Sequence, residues 1–327
     1  MVEFWVFVLG LSILLYVLLD GFDLGIGILF GLTRDEAKRR GMMAAVAPVW
    51  DGNETWLVVT GVVLWGAFPI VYATLFSAFY LALLLMLAGL ILRGVAFEFR
   101  YKAERMRPVW DLGFAGGSLV AAFIQGMMVG ALVEGLPIAN GQYVGGEFGW
   151  LSAFSLMCGV GLCLGYALLG ACWLVFKSEG AVRDWAYARI PRLAAAVIVV
   201  LGLAFTVVLA VDTGAVAQSN LYSRAWGLVF PAIGIAALLG LIVAVRARRD
   251  DVPVIFAVIF FVAAYLTLYV MFWPYMIPYK VTVADAAAPD QSLQFLSYCG
   301  AVVLPVIVVY TFGVYRVFRG KSRQRYS

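Results

Sequence analysis

The chain has 327 residues, 64% hydrophobic and 13% charged, with a mean hydropathy of +0.98. Soluble domains average about 45–50% apolar and about 25% charged, so this composition excludes a soluble globular protein and indicates a polytopic membrane protein. The net charge of +4 does not point to nucleic acid, and the complete lack of histidine argues against a bis-histidine haem, zinc or copper centre held by this chain alone.

Runs of roughly 20 apolar residues mark membrane-crossing helices. Nine are predicted, at about 4–30, 46–68, 71–97, 111–134, 150–176, 192–212, 225–245, 253–273 and 295–318, forming one all-α membrane domain over 1–327. The runs are continuous and do not alternate, which indicates helices rather than barrel strands. The first and third are longer than a bilayer needs and are expected to tilt or project from it. The opening MVEFW carries an acid where a signal peptide has its positive region, so no cleavable signal is expected. Two connections are longer than the rest, the Gly-rich 135–149 and the Pro-containing 274–294; they read as simple connections, with irregular structure over the outer face that contacts a partner as the alternative.

All lysines and arginines except Arg224 and Lys280 fall in alternate connections, their flanks and the C-terminal tail. By the positive-inside rule the C-terminus is cytoplasmic and, with nine spans, the N-terminus is outside. The basic connections are expected to lie against anionic lipid headgroups. Cys158, Cys163, Cys172 and Cys299 all fall in predicted helices without a C-x-x-C pair, and are read as small buried hydrophobes. Gly126 and Gly130 form a GxxxG suited to close helix approach.

Two carboxylate pairs stand in otherwise apolar sequence: Asp20 and Asp23 in DGFDLGIG, and Asp51 and Glu54 in PVWDGNETW. Intramembrane acids cost at least ~2.5–3.5 kcal/mol each on insertion scales, which marks them as candidates for carrying protons. Asp20 and Asp23 share a helix face. At 1.5 Å per residue from Phe4 they lie about 24 and 28 Å across the bilayer, and Asp51 lies about 8 Å beyond Val46 on the next, antiparallel helix. The two pairs therefore reach similar depth. Converging carboxylates repel less when one holds a proton, as a relay requires. The competing reading places them at the headgroups, solvated or capping the second helix.

Asn53 can bridge carboxylates, while Trp50 and Trp56 fit interfacial anchors as well as a functional lining. Glu98 in RGVAFEFR reads as part of a salt-bridged helix end. Asp111 reads as a first-turn acid favoured by the helix dipole. Gln125, about 21 Å along the fourth helix, reads as an interhelical hydrogen-bonding group.

Taken together, DGFDLGIG, PVWDGNETW, RGVAFEFR, WDLGFAGGS, QGMMVGALVEGLP, MFWPYMIPY and LPVIVVYTFGVYR resemble the second subunit of cytochrome bd-type quinol oxidases, including the cyanide-insensitive branch. The resemblance covers essentially the whole chain. It implies nine helices in two four-helix bundles plus a peripheral helix, in a bacterial cytoplasmic membrane. It further implies a heterodimer with a haem-bearing subunit I that holds the b and d haems, and an electrogenic oxidation of quinol coupled to reduction of dioxygen to water. By the same resemblance this chain binds no haem or metal. It would stabilise subunit I and line a cytoplasmic proton route with Asp20, Asp23, Asp51, Asn53 and Glu54, with Trp50 and Trp56 along that route or an oxygen route. Some members carry glutamine at the position of Glu54. A structural quinone occurs in some relatives, but no motif here assigns one; a small single-helix accessory subunit is compatible with the resemblance. Two alternatives compete: a proton-coupled secondary transporter, and a scaffold whose acids only cap helices.

Overall fold

The computed structural model describes residues 1–139, 142–210 and 227–322. The predicted ends at 211–212 and 225–226, and Arg224, Arg323 and Arg325, lie outside the described residues.

α1 (Val2–Gly31) runs into a short polar helix α2 (Glu36–Val46), whose first turn is capped by Asp35 accepting from the Ala37 and Lys38 amides at 3.0 and 3.2 Å. α3 (Trp50–Ala67) and α4 (Pro69–Ala78) follow, bent 120° to one another. Pro69 explains the bend. It cannot continue the helix behind it, and it forces the preceding Phe68 out of the helical region, to φ −136° and ψ 60°. A second break at Phe79 separates α4 from α5 (Tyr80–Arg100). The single helix expected over 71–97 is therefore two, because its first third belongs to the turned segment.

α6 (Arg107–Glu134) leads through the hairpin β1 (Ile138–Ala139) and β2 (Gln142–Tyr143) to α7 (Ala153–Lys177), opened by a capping box of Ser152 and Ser155. Then come α8 (Gly180–Tyr187), α9 (Ile190–Ala210), α10 (Val229–Arg246) and α11 (Val252–Phe272). A second hairpin, β3 (Tyr275–Ile277) with β4 (Val281–Thr282), and the single turn α12 (Val283–Ala286) precede the last helix α13 (Asp290–Val317). The 274–294 connection is thus folded, packing α12 on α1 and α4.

Among the described residues, eight helices are long and apolar enough to cross a membrane, or nine with the bent α3–α4 pair taken as one span. α1, α3, α5 and α6 form one group, and α7, α9, α10 and α11 a second. α1 and α6 join them by packing on α7, while α13 lies against α3 with only Leu293 buried. This is the all-α arrangement of two four-helix groups and a peripheral helix. The apolar residues facing outward, such as Leu112, Val243 and Phe312, suit a hydrocarbon surround.

Glycine lets the groups meet. A Cβ at Gly25 would stand 1.8 Å from the Tyr166 carbonyl oxygen, and one at Gly170 would stand 2.7 Å from the Ile26 nitrogen. The backbones of α1 and α7 therefore touch where the carboxylate segment passes. Gly126 and Gly130 do the same for α6 on α7, at 2.5 Å from the Cys158 carbonyl oxygen and 2.7 Å from Ser155 Cα. Gly25→Ala is expected to cost at least the about 1–3 kcal/mol typical of overpacking, because backbone cannot yield as a side chain does. Thermal unfolding in detergent checks this against Gly116→Ala, whose added methyl meets nothing within 4 Å.

The basic connections gather at one end and are stitched together there. Asp111 accepts from Arg39 Nη1 at 2.6 Å and from Arg100 Nε, and Arg100 Nη2 donates to Glu36 at 2.8 Å. The last described residues fold back under α7. Lys321 Nζ donates to Asp250 at 2.9 Å and to the Val175 and Ser178 carbonyls at 3.2 Å, and the Ser322 amide donates to the Lys177 carbonyl at 2.7 Å. Burial opposes ionisation of Asp250, but hydrogen bonds from Lys321 and Tyr187 outweigh it and hold the carboxyl below its ordinary range. This clasp ties down the basic end of an otherwise exposed α13. Of the cysteines, Cys163 and Cys172 are buried as expected, Cys158 is half-buried, and Cys299 is exposed because it sits on the outward face of α13.

Candidate functional site

The carboxylates of DGFDLGIG are the most deeply buried acids among the described residues. Asp20 is 0% exposed and Asp23 is 3% exposed, at the level where α1 is clasped by α3, α6 and α7. Arg93, reaching across from α5, is 2% exposed and bridges two helices: Nη1 donates to Asp20 Oδ1 at 2.7 Å and Nη2 donates to Glu54 Oε2 at 3.0 Å. Asn53 on α3 holds Asp23. Its Nδ2 donates to Asp23 Oδ2 at 2.7 Å and to the Leu19 carbonyl at 3.2 Å, and its Oδ1 accepts from the Tyr315 hydroxyl of α13 at 2.8 Å. Three carboxyl groups from two helices thus converge around one guanidinium.

The hydrogen bonding is incomplete at informative atoms. Asp20 Oδ2, Asp23 Oδ1 and Arg93 Nε are buried and have no hydrogen-bond partner among the described residues. Buried polar atoms are costly unless paired, and the paired atoms on the same groups hold them in place. A small cavity, lined by Asp23, Val46, Trp50, Arg93, Phe97 and Phe114, adjoins them. Exposure rises steadily toward the surface: the Asp20 side chain is 0% exposed, Glu54 is 30% exposed, and Asp51, one turn back on α3, is exposed at the rim.

The expected residues therefore separate. Asp20, Asp23, Asn53 and Glu54 come together. Asp51 stands outside the cluster, with Glu98 and Arg93 the charges that bear on it. Glu98 is exposed and makes no ion pair among the described residues, so the salt-bridged helix end formed by the flanking arginines does not include it. Asp111 is a staple between α2, α5 and α6 at the basic end rather than a lone first-turn acid. Trp50 is half-buried, with its ring 5.3 Å from that of Phe97, and lines the cavity. Trp56 is 4% exposed and packed in the interior, which is not an interfacial anchor's position. Gln125 cross-links helices, bonding Tyr16 and Tyr166.

Sequence reasoning passed over Arg93 and Tyr315. Arg93 was legible: it follows the apolar run ALLLMLAGLIL, where an intramembrane arginine carries the same message as an intramembrane acid. Assigning it to a basic flank concealed that. Tyr315 carries no local signal, since only the packing of α13 on α3 brings it to Asn53.

Residues 1–318 match the family described as cytochrome bd terminal oxidase subunit II. Cytochrome bd-I ubiquinol oxidase subunit 2 of Escherichia coli K12 is 29% identical, over 95% of this chain and 92% of that one. A probable cytochrome oxidase subunit 2 of Haemophilus influenzae is 31% identical, over 97% and 93%, and cytochrome bd ubiquinol oxidase subunit 2 of Bacillus subtilis is 27% identical, over 97% and 95%. Among solved structures, a chain of the bd oxidase from Geobacillus thermodenitrificans superposes with a TM-score of 0.75 over 97% of this chain and 98% of that one, at 17% identity, a likeness of fold.

Proposed function

This chain belongs to the cytochrome bd terminal oxidase subunit II family, and from that membership we propose that its buried carboxylate cluster delivers protons to dioxygen reduction in a haem-bearing subunit I. The haems b and d reside in that partner, which this chain stabilises; quinol and dioxygen are substrates of the complex. The basic end faces the cytoplasm and the N-terminus faces outward, a reading that the distribution of lysine and arginine supports.

One observation carries this reading. Arg93 is shared by Asp20 and Glu54, with Asp23 held beside them, in a graded path from an exposed acid to a fully buried one. Protons enter at Asp51 and Glu98, the two exposed acids at the rim. They pass to Glu54, which lies partly open to water, and then to Asp20. Arg93 keeps the interior electrostatically tolerable for a carboxylate without removing its ability to take a proton, since one cation faces three acids. Asp23 and Asn53 form a side branch that Tyr315 closes from α13. Trp50 shields the path where it passes the cavity, and Trp56 seals the interior side of α3. No observation favours the transporter reading over this one.

Asp51→Asn in the assembled complex is expected to slow quinol oxidase turnover severalfold, while Asp111→Asn, at the staple, acts on stability rather than rate. Wild-type turnover in a fully assembled Asp51→Asn enzyme would remove Asp51 from the path.

A further inference from the structure

Beyond the carboxylate cluster, toward the middle of the bundle, a second polar set crosses otherwise apolar packing. Tyr16 of α1, Gln125 of α6 and Tyr166 of α7 are 5%, 7% and 0% exposed. The Tyr166 hydroxyl donates to Gln125 Oε1 at 3.0 Å, and Gln125 Nε2 donates to the Tyr16 hydroxyl oxygen at 2.7 Å. An amide nitrogen only donates and an amide oxygen only accepts, so Gln125 fixes the direction of this chain. With the amide in this orientation it runs from Tyr166 through Gln125 to Tyr16, and only turning the amide over would reverse it.

Its end is open. The Tyr16 oxygen is occupied as an acceptor, so its own proton must point elsewhere, and among the described residues it reaches no acceptor. Asp20 stands four residues on, the neighbour on the same helix face, with Cβ atoms about 5–6 Å apart. Arg93 fills Asp20 Oδ1, while Oδ2 is buried and receives no donor from the described residues. A donor without an acceptor and an acceptor without a donor thus face the same interior, one helical turn apart. Tyr166 is drawn to the same place because Gly21, next to Asp20, has no side chain; a Cβ there would lie 2.7 Å from the tyrosine ring.

We infer that Tyr16, aligned by Gln125 and Tyr166, is a positioning donor for Asp20, completing the carboxyl across one water and fixing where its proton sits. This rests on the proton route proposed above. Interhelical cross-linking alone would need no direction, and would be served equally by a hydroxyl free to rotate.

The test uses the assembled oxidase, with haem content as the check on assembly, and compares turnover in H₂O and D₂O. Removing one neutral hydrogen bond is expected to slow Tyr16→Phe and Gln125→Leu about fivefold. Proton transfer then limits the rate, so the H₂O/D₂O ratio rises in both, whereas Ser12→Ala, on the same face but outside the chain, keeps the wild-type ratio. Should Gln125→Leu fail to assemble, Tyr16→Phe, which loses a single oxygen, decides. Slow Asp20→Asn turnover alongside a wild-type rate and ratio in Tyr16→Phe overturns this inference alone. Wild-type turnover in Asp20→Asn overturns it together with the proton route beneath it.

Discussion

Arg93→Met is expected to destabilise the chain by about 3–5 kcal/mol, the cost of removing one partner from a buried ion pair. Thermal unfolding of the purified complex and its yield from membranes measure it. The magnitude follows from burial: the Arg93 side chain is 3% exposed and Asp20 0%, so neither charge can turn to water when the other is lost. Asp35 and Lys38 make the contrast. Their side chains are 43% and 23% exposed, so water screens the pair, and Lys38→Met should change stability far less. Arg93→Lys should fall between, because one ammonium cannot reproduce a planar fork that serves Asp20 with one nitrogen and Glu54 with another. Adding Asp20→Asn to Arg93→Met should recover part of the loss, since the orphaned charge is then gone. Additive losses in the double variant would mean that the pair is not the source of the destabilisation.

Asp20→Asn alone is expected to have the opposite profile, with modest loss of stability and large loss of rate. The amide oxygen still accepts from Arg93 in nearly the same shape, but the group can no longer take up and release a proton. A drop in turnover of at least about tenfold is expected at full haem content, in the range that a positioned proton-transfer group contributes. Glu54→Gln should cost less. Its side chain is 30% exposed, so water can stand in for it.

The membrane class, the number of spans and the basic end were legible in the sequence because hydrocarbon imposes length and composition directly. DGFDLGIG and PVWDGNETW pointed to the correct helices, and four of the five acids and amides chosen there do converge. The rest depends on long-range packing. Asp51 and Glu54 look equivalent along the chain, three residues apart, yet only Glu54 faces Arg93. The turn at Phe68 was signalled by Pro69, but continuous apolarity on both sides masked it. Tyr16, Gln125 and Tyr166 lie on three helices and share no local pattern; the close glycine contacts of α1 and α6 on α7 bring them together.

The central claim, that protons for oxygen reduction pass through this cluster, is tested most directly by proton uptake. The measurement follows uptake from the basic side during oxygen reduction by the Asp20→Asn complex reconstituted into vesicles, at wild-type haem content. Uptake slowed at least about tenfold, in step with turnover, is the predicted result. Uptake at the wild-type rate would contradict it and leave the buried acids a structural role only.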